Sequence, residues 1–337
     1  MPGHNDLTRG VKMMSSSRYY GIDVGGTTIK IGLFEGGALL EKRSLATDIS
    51  AGGKNILPDI VRSLRGDAAG AALAVPGAAL PDGTVNRCVN LGWGVCRPAD
   101  EFTAMTGIPC RVLNDGNAAA LGEQRLGSGK GFQDVLFVSL GTGVGAGVVL
   151  GGRIRGGAYG AAGELGHMCV ESGENAAACA CGRRGCIERY ASATGISRLA
   201  AKAGFPGMSC KAVIDAAVAG DARLEAVLDE ACDRLGQAIA GACAVIDPEV
   251  IVLGGGVAQA GEYLRGKVQD AFGRYAFHAC LGTDIRLAAL GSDAGISGAA
   301  LYAMEWDTAQ DKTALDGENI QNCHSQIVLP AKGKKGE

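Results

Sequence analysis

One local plan occurs twice in this chain and restricts its fold more than any other feature. Tyr19 to Asp23 reads as a buried strand, Gly25-Gly26-Thr27-Thr28 turns the chain, and Ile29, Ile31 and Leu33 continue with the period of two of a half-buried strand. Gly36-Gly37 then makes a hairpin turn, and Ala38 to Leu45 returns as a third strand. Later, Val135 to Leu140 is again an apolar strand, Gly141-Thr142-Gly143 turns, and Val144 to Leu150 follows. Gly151-Gly152 then turns into a return that begins at Arg153 to Arg155. Shifted by 116 positions, Gly25 falls on Gly141, and the two Gly-Gly turns agree within one residue. The repeat reads as a duplicated strand–glycine loop–hairpin unit, although glycine-rich hairpins also arise independently.

Between the copies lie a buried strand (Ala71 to Val75, ended by Pro76-Gly77), a helix over Ala99 to Met105, a strand over Cys110 to Leu113 and a helix over Asn117 to Leu126. Leu224, Val227, Leu228, Ala231, Leu235, Ala238, Ile239, Ala242 and Val245 keep helical spacing over several turns until Asp247-Pro248 stops them. Val250 to Leu253 reads as a parallel-type strand, followed by Gly254-Gly255-Gly256 and a helix from Glu262. Ala294 to Met304 is a last helix. Residues 1–18 read as a polar leader, with Met13-Met14 as another possible start, and residues 307–337 as a polar, basic-ended tail.

The length of 337 residues suggests about two domains with a core that needs no disulfide staples. A net charge of −3 without a basic run argues against a nucleic-acid binder. The N-terminus lacks an apolar signal region, and the most apolar run, Ala68 to Leu80, is short and contains Pro76. No membrane association and a cytoplasmic location are therefore expected. The 12 cysteines would then stay reduced. Glycine supplies 55 residues against a usual share of about 7%. Its clustering suits loops whose backbone approaches phosphates.

Asp23-Val-Gly25-Gly26-Thr27 leaves a strand and opens a hairpin, so successive N–H groups and the hydroxyls of Thr27 and Thr28 can face an anion. Asp23 could hold a metal-bound water, as magnesium prefers, or simply cap the turn. Gly141-Thr142-Gly143-Val144-Gly145, with Glu164 about 20 residues on, imitates a dinucleotide fingerprint. Such a fingerprint must open a helix; here the chain alternates into a hairpin, which opposes an oxidoreductase. Gly127-Ser128-Gly129-Lys130 lacks the Walker spacing. The two hairpin loops and Gly254-Gly255-Gly256 together suggest a nucleotide site of another kind.

Cys179-x-Cys181 and Cys186 follow His167, twelve residues upstream of Cys179. Three thiolates and an imidazole suit a closed, structural zinc site. The other cysteines (Cys88, Cys96, Cys110, Cys169, Cys210, Cys232, Cys243, Cys280 and Cys323) are scattered and read as buried small hydrophobes. Asn114-Asp115-Gly116-Asn117 sits between a strand and a helix, where α/β proteins place reactive groups. The bland alternative is a helix cap, a role Asn117 can fill without Asp115. Glu164 and Glu188 flank the zinc residues and could accept hydroxyl hydrogen bonds from a polyol, or could be solvated surface.

Taken in order, these stretches resemble the ROK family (repressors, open reading frames and kinases), and the resemblance covers Tyr19 to Met304. Gly21-Ile-Asp-Val-Gly-Gly-Thr27 is similar to the family's first phosphate loop, Asn114-Asp115-x-Asn117-Ala118-Ala119 to its catalytic segment, and Gly141-Thr142-Gly143-x-Gly145 to its second phosphate loop. Gly163-Glu164-Leu165-Gly166-His167, Cys179-x-Cys181-Gly182-x-x-Gly185-Cys186-x-Glu188 and Leu253-Gly254-Gly255-Gly256 complete the set.

The resemblance implies an α/β, two-lobed, actin-like ATPase (ribonuclease H-like) fold with a structural zinc loop. One lobe would comprise residues 19–121 plus 293–306, the other residues 122–292. It implies an ATP- and magnesium-dependent sugar kinase, a small-molecule sugar as partner and a homodimer. Asp115 would be the general base. Asn90, Asn114, Glu164, His167 and Glu188 would hold sugar hydroxyls, His167 also binding zinc with Cys179, Cys181 and Cys186. Asp23, Gly25, Gly26, Thr27, Thr28, Gly141, Thr142, Gly143, Gly254, Gly255 and Gly256 would bind the nucleotide.

Asn90-Leu91-Gly92-Trp93 resembles a segment of the glucokinase branch, so D-glucose is the expected substrate. N-acetylmannosamine and N-acetylglucosamine are the nearest rivals, then allose and fructose, with a non-catalytic sugar sensor more remote. The chain departs from the family in its alanine-rich segment Glu171 to Ala178 and in its tail after Trp306. The family's repressor branch carries an N-terminal helix-turn-helix, for which the 18 residues before the first strand are too few.

Overall fold

The computed structural model describes residues 17–316. Most of the expected leader, residues 317–337 of the expected tail, and Cys323 lie outside the described residues. β1 (Arg18–Val24), β2 (Thr28–Glu35) and β3 (Ala38–Ala46) form an antiparallel meander, to which β4 (Gly70–Val75) and β5 (Cys110–Asn114) add in parallel. All six residues of β4, Gly-Ala-Ala-Leu-Ala-Val, are buried, as a parallel strand covered on both faces requires. Helices α1 (Ile56–Ser63) and α2 (Pro98–Thr106) cover one face with Ile56, Ile60 and Phe102.

Helix α3 (Asp115–Leu126) leads to β6 (Val135–Leu140), β7 (Val144–Leu150) and β8 (Arg153–Ile154), a second antiparallel meander. Helices α4 (Ala193–Lys202), α5 (Cys210–Val218) and α6 (Ala222–Ile246) precede β9 (Val250–Gly254), and α7 (Glu262–Tyr275) precedes β10 (Asp284–Leu287). β9 joins β6 and β10 in parallel. The two sheets run β3-β2-β1-β4-β5 and β8-β7-β6-β9-β10, one order used twice. The repeat seen in the sequence is therefore a repeat of topology as well. Helix α8 (Ala294–Asp316) then returns to pack on the first sheet.

The helices meet the sheets through glycine. A Cβ on Gly21 of β1 would overlap the Ile296 carbonyl of α8, and one on Gly298 of α8 would overlap the Ala118 carbonyl of α3. Gly122 of α3 meets the Ala294 carbonyl in the same way. On its opposite side α3 lies against the second sheet, with Gly116 on the Ala146 carbonyl and Gly147 of β7 on the Gly116 carbonyl. Many of the chain's glycines thus serve backbone-to-backbone packing as well as loops.

Three expectations change. The last helix does not end at Met304; it continues to Asp316, into the segment expected to be a tail. Asn114, not Asn117, caps α3, its side-chain oxygen accepting the Asn117 N–H at 3.1 Å. Cys169 is exposed rather than buried, while Cys88, Cys210, Cys232, Cys243 and Cys280 fit the expectation. Among the described residues no helix is long and apolar enough to cross a membrane.

Gly298→Ala should cost about 1–3 kcal/mol, the penalty of overpacking a close contact. Gly266→Ala in α7, where a Cβ meets nothing within 4 Å, should gain about 0.5–1 kcal/mol. Urea unfolding midpoints at constant slope report both; equal stability of Gly298→Ala and the parent would contradict the contact.

Candidate active site

Residues of both sheets line a cleft of about 480 Å³. Asp115 enters it from the first turn of α3, a position set by the Asn114 cap and the glycine contacts around α3. Burial is the main force pushing the Asp115 carboxyl up to about 7; the charge of Asp23 adds to it, and the Gly116 N–H, donated to Asp115 Oδ1 at 2.8 Å, opposes it. Asp23, from the end of β1, is also raised by burial, with the Lys30 ammonium pulling the other way. Two acids therefore face one cleft, and burial raises the pKa of both.

A connection between β10 and α8, with Gly291 and Ser292, closes one side of this cleft together with Ala294 and Gly295 of the first turn of α8. Its anchor is Glu123, wholly buried in α3, which accepts the N–H groups of Ala289 at 3.1 Å and Leu290 at 2.7 Å. Lys30 Nζ donates to the Ser292 carbonyl at 2.9 Å, tying the first hairpin to the same connection. Neither Glu123 nor this connection was singled out in the sequence. A glutamate in a helix looks solvated until the partners of its carboxylate are known.

Asn90, Asn114, Glu164, His167 and Glu188 also line the cleft. Glu164 and His167 flank a single 3₁₀ turn, with Glu164 Oε2 3.8 Å from His167 Nε2. Glu188 Oε2 accepts the Val144 N–H at 3.3 Å, which ties this acid to the second glycine loop. The loop of Asn90 leans on the first: a Cβ on Gly26 would lie 3.2 Å from the Asn90 carbonyl. Of the expected nucleotide residues, Asp23, Gly141, Gly143 and Gly255 line the cleft. Gly25, Gly26, Thr27, Thr28, Thr142, Gly254 and Gly256 are not among its lining residues. Gly255, at φ +85°, sits where a Cβ would crowd the Leu140 backbone.

The other ring nitrogen of His167 faces the cysteines. His167 Nδ1 lies 3.8 Å from Cys179 Sγ, Cys181 Sγ lies 3.6 Å from Cys186 Sγ, and all four ligand atoms fall within 4.8 Å of one another. A tetrahedral zinc with bonds of about 2.3 Å to sulfur needs ligand separations of about 3.8 Å, so the set fits the ion. The Cys181 thiol is drawn down to about 6, first by the Arg183 backbone N–H, which favours the thiolate a metal takes.

The alanine-rich segment Glu171 to Ala178 gets its shape from outside itself. The Tyr190 hydroxyl accepts the Ala177 N–H at 3.1 Å, and Arg184 donates to the Ala176 carbonyl at 2.9 Å. Gly185, at φ +77°, packs against the Glu171 carbonyl, where no Cβ fits.

The chain matches the ROK family over residues 19–305. It is 37% identical over 328 residues to the glucokinase of Halalkalibacterium halodurans, covering 89% of this chain and 98% of that one. It is 36% identical over 293 residues to the bifunctional enzyme NanE/NanK of Brucella suis, covering 85% of this chain and 53% of that longer protein. Its fold superposes on a ROK family glucokinase from Streptomyces griseus in complex with glucose and AMPPNP with a TM-score of 0.73 at 29% identity, covering 86% of this chain and 99% of that one. The match spans both sheets and the cleft between them, and the chain belongs to the ROK family.

Proposed function

We propose that the protein transfers the γ-phosphoryl group of ATP to the 6-hydroxyl of D-glucose, giving glucose 6-phosphate and ADP. The observation that carries this reading is the carboxylate of Asp115, held in the cleft with its pKa pushed up to about 7. At that value it is a stronger base than an ordinary aspartate and remains substantially ionised at neutral pH. Phosphoryl transfer asks a protein mainly for positioning and charge neutralisation. Asp115 takes the proton of the 6-hydroxyl as that oxygen bonds to phosphorus, and the bond to the bridging oxygen breaks as ADP leaves.

Asn90, Asn114, Glu164, His167 and Glu188 hold the other hydroxyls and so aim the reacting one. Gly26, Thr27, Thr28, Thr142 and Gly143 offer N–H and hydroxyl donors to the phosphates, Gly25 and Gly141 close the two loops by donating to the Thr28 and Gly143 carbonyls at 3.1 and 2.9 Å, and Gly254, Gly255 and Gly256 face the adenosine. Support for Asp23 as the residue that holds magnesium through water is its mutual repulsion with Asp115, which a dication relieves. Magnesium, when bound with the triphosphate, supplies the charge neutralisation.

Zinc at His167, Cys179, Cys181 and Cys186 is structural. When bound, the ion would fix the imidazole through Nδ1, leaving His167 Nε2 to serve the sugar, in keeping with the rule that a metal-bound histidine's second nitrogen is engaged. A cytoplasmic homodimer supplying hexose phosphate to glycolysis is the setting the family resemblance favours. A second reading, N-acetylmannosamine phosphorylation, is favoured by similarity to the N-acetylmannosamine kinase of Escherichia coli, 33% identical over 291 residues. One N-acetyl group is accepted or refused by pocket shape.

A coupled ADP-release assay over hexoses and N-acetylhexosamines tests the reading: glucose should turn over fastest. No turnover with any sugar sinks the kinase, and turnover confined to an N-acetyl sugar selects the second reading. Asp115→Asn should keep sugar affinity while losing at least roughly 10²–10⁴-fold in kcat.

Activity should depend on one ionisation. kcat/KM should fall with unit slope below about pH 7, and an acid limb near 4 would remove Asp115 as the base. The same raised pKa makes the fold hold a proton that the unfolded chain has released. Stability should therefore drop as pH rises from about 4 to about 7, and Asp115→Asn should flatten that slope in thermal unfolding.

Freshly purified protein should contain one zinc per chain by elemental analysis. Chelation should raise the KM for sugar more than that for ATP, since His167 and Glu188 belong to the sugar side. Metal-free protein with unchanged sugar KM would refute the assignment.

A further inference from the structure

Residues 47–53, between β3 and α1, are bonded at their two ends to two different loops of the cleft. At one end the Thr47 N–H donates to the Thr27 carbonyl at 3.0 Å, and the Thr47 hydroxyl donates to the Gly25 carbonyl at 2.6 Å. Both carbonyls belong to the first glycine loop. At the other end the Gly53 carbonyl accepts the Trp93 indole N–H at 3.1 Å. Trp93 also exchanges two backbone hydrogen bonds of 3.0 Å with Cys88, and this pair closes the loop that carries Asn90 into the cleft.

The stretch between these ends has little slack. Ala51, Gly52 and Gly53 hold φ of +51°, +70° and +71°, three left-handed residues in a row, the first bearing a side chain. Such a conformation persists where neighbours impose it. Those neighbours lie on the Asn90 loop. A Cβ on Gly53 would lie 2.1 Å from the Leu91 carbonyl, and one on Gly92 would lie 3.2 Å from the Gly52 backbone. Asp48 adds two bonds within the segment's own neighbourhood, accepting the Ser50 N–H at 2.9 Å and the Asn55 side-chain amide at 2.7 Å. Cys88 and Leu91 are wholly buried, so the Asn90 loop rests on the core of the first sheet. A third contact closes the circuit, since a Cβ on Gly26 would lie 3.2 Å from the Asn90 carbonyl.

We propose that residues 47–53 are a strut that makes sugar and nucleotide binding reinforce each other, with Thr47 and Trp93 as positioning residues at its ends. Neither side chain lines the cleft. On the kinase reading, on which this role rests, the first loop holds phosphate at Gly26, Thr27 and Thr28, and the second holds a sugar hydroxyl at Asn90. A phosphate that orders the first loop fixes the Gly25 and Thr27 carbonyls, and the strut carries that order to Leu91, Gly92 and Asn90. The sugar acts in the reverse direction, because coupling between two binding equilibria is reciprocal. Each substrate thus meets a loop that the other has already ordered, and less freedom is lost when it binds.

Isothermal titration of the full chain with magnesium tests the strut, using D-glucose and the non-hydrolysable ATP analogue AMPPNP. In the parent, saturating AMPPNP should tighten glucose by roughly fivefold or more, and saturating glucose should tighten AMPPNP by the same factor. Trp93→Phe keeps an aromatic ring and loses the N–H. It should weaken glucose alone by roughly two- to tenfold, the worth of one hydrogen bond, while AMPPNP alone binds as in the parent. It should also cut the shared factor by at least half. Thr47→Val keeps the shape and loses the hydroxyl. It should leave the affinity for glucose alone unchanged and cut the same factor, and Thr47→Ser should restore it. A side chain that only stabilised the fold would leave the factor as it is, since every titration is made on folded protein.

A parent factor of one, an undiminished factor in either variant, or Thr47→Ser behaving as Thr47→Val overturns the strut. The two ends are independent, so if one variant does not fold the other decides. ADP release separates the two readings. A parent that turns over no sugar faults the kinase reading, and one that turns over glucose with a factor of one faults the strut alone. Where another sugar turns over in place of glucose, that sugar is the probe.

Discussion

Helix α3 is pressed between the second sheet and α8 by backbone contact on both sides, and the site depends on that contact. Gly116 touches the Ala146 carbonyl of β7, while Gly122 touches the Ala294 carbonyl of α8. Where carbonyl meets Cα there is no side chain to rotate away, so the helix has little freedom to shift without parting the sheets. Asn114 and Asp115 sit at its first turn, and their positions are inherited from the packing of the two halves. Glu123 extends the same arrangement, holding the connection that closes the cleft through two of its backbone N–H groups.

The chemistry at Asp115 is a balance struck by this geometry. Burial comes first and raises the carboxyl, Asp23 raises it further, and the Gly116 N–H restrains it. Take away the second acid and the group would lie lower, a weaker base; take away the N–H and it would lie higher. An ionised carboxylate here opposes folding, because the unfolded chain ionises it more easily. The close-packed contacts around α3 offset that opposition, so tight packing and an unfavourable charge occur on one helix.

How much of this was legible follows from what each feature needs. The two meanders were readable because period-two alternation and Gly-Gly turns are local signals, and the shared offset linked them before the sheets were known. The His167, Cys179, Cys181 and Cys186 set was readable because few alternatives explain three clustered thiols near an imidazole. The cap of α3 was misassigned by three residues, since Asn114 and Asn117 have the same side chain and only the backbone shows which accepts. Strand β10 went unread because Asp284-Ile285-Arg286-Leu287 is short, with a single fully buried side chain. The glycine excess was assigned to phosphate loops and hairpin turns. Glycines at helix crossings give no local pattern, because the partner that excludes a Cβ lies far away in sequence.

The cysteine loop shows how an irregular segment can act at a distance from its cysteine–histidine cluster. Residues 171–178 contribute no regular strand, and their path is set by the Tyr190 hydroxyl and the Arg184 guanidinium. That path brings Cys179 to His167 Nδ1 and leaves Nε2 beside Glu164. Glu188, two residues past Cys186, accepts the Val144 N–H from the second glycine loop. A displacement of the thiols would therefore reach the imidazole, Glu188 and the strand entry at Val144 together. Three groups that face one cleft are referenced to one cluster, so a loop with almost no sheet or helix of its own can hold them in a common frame.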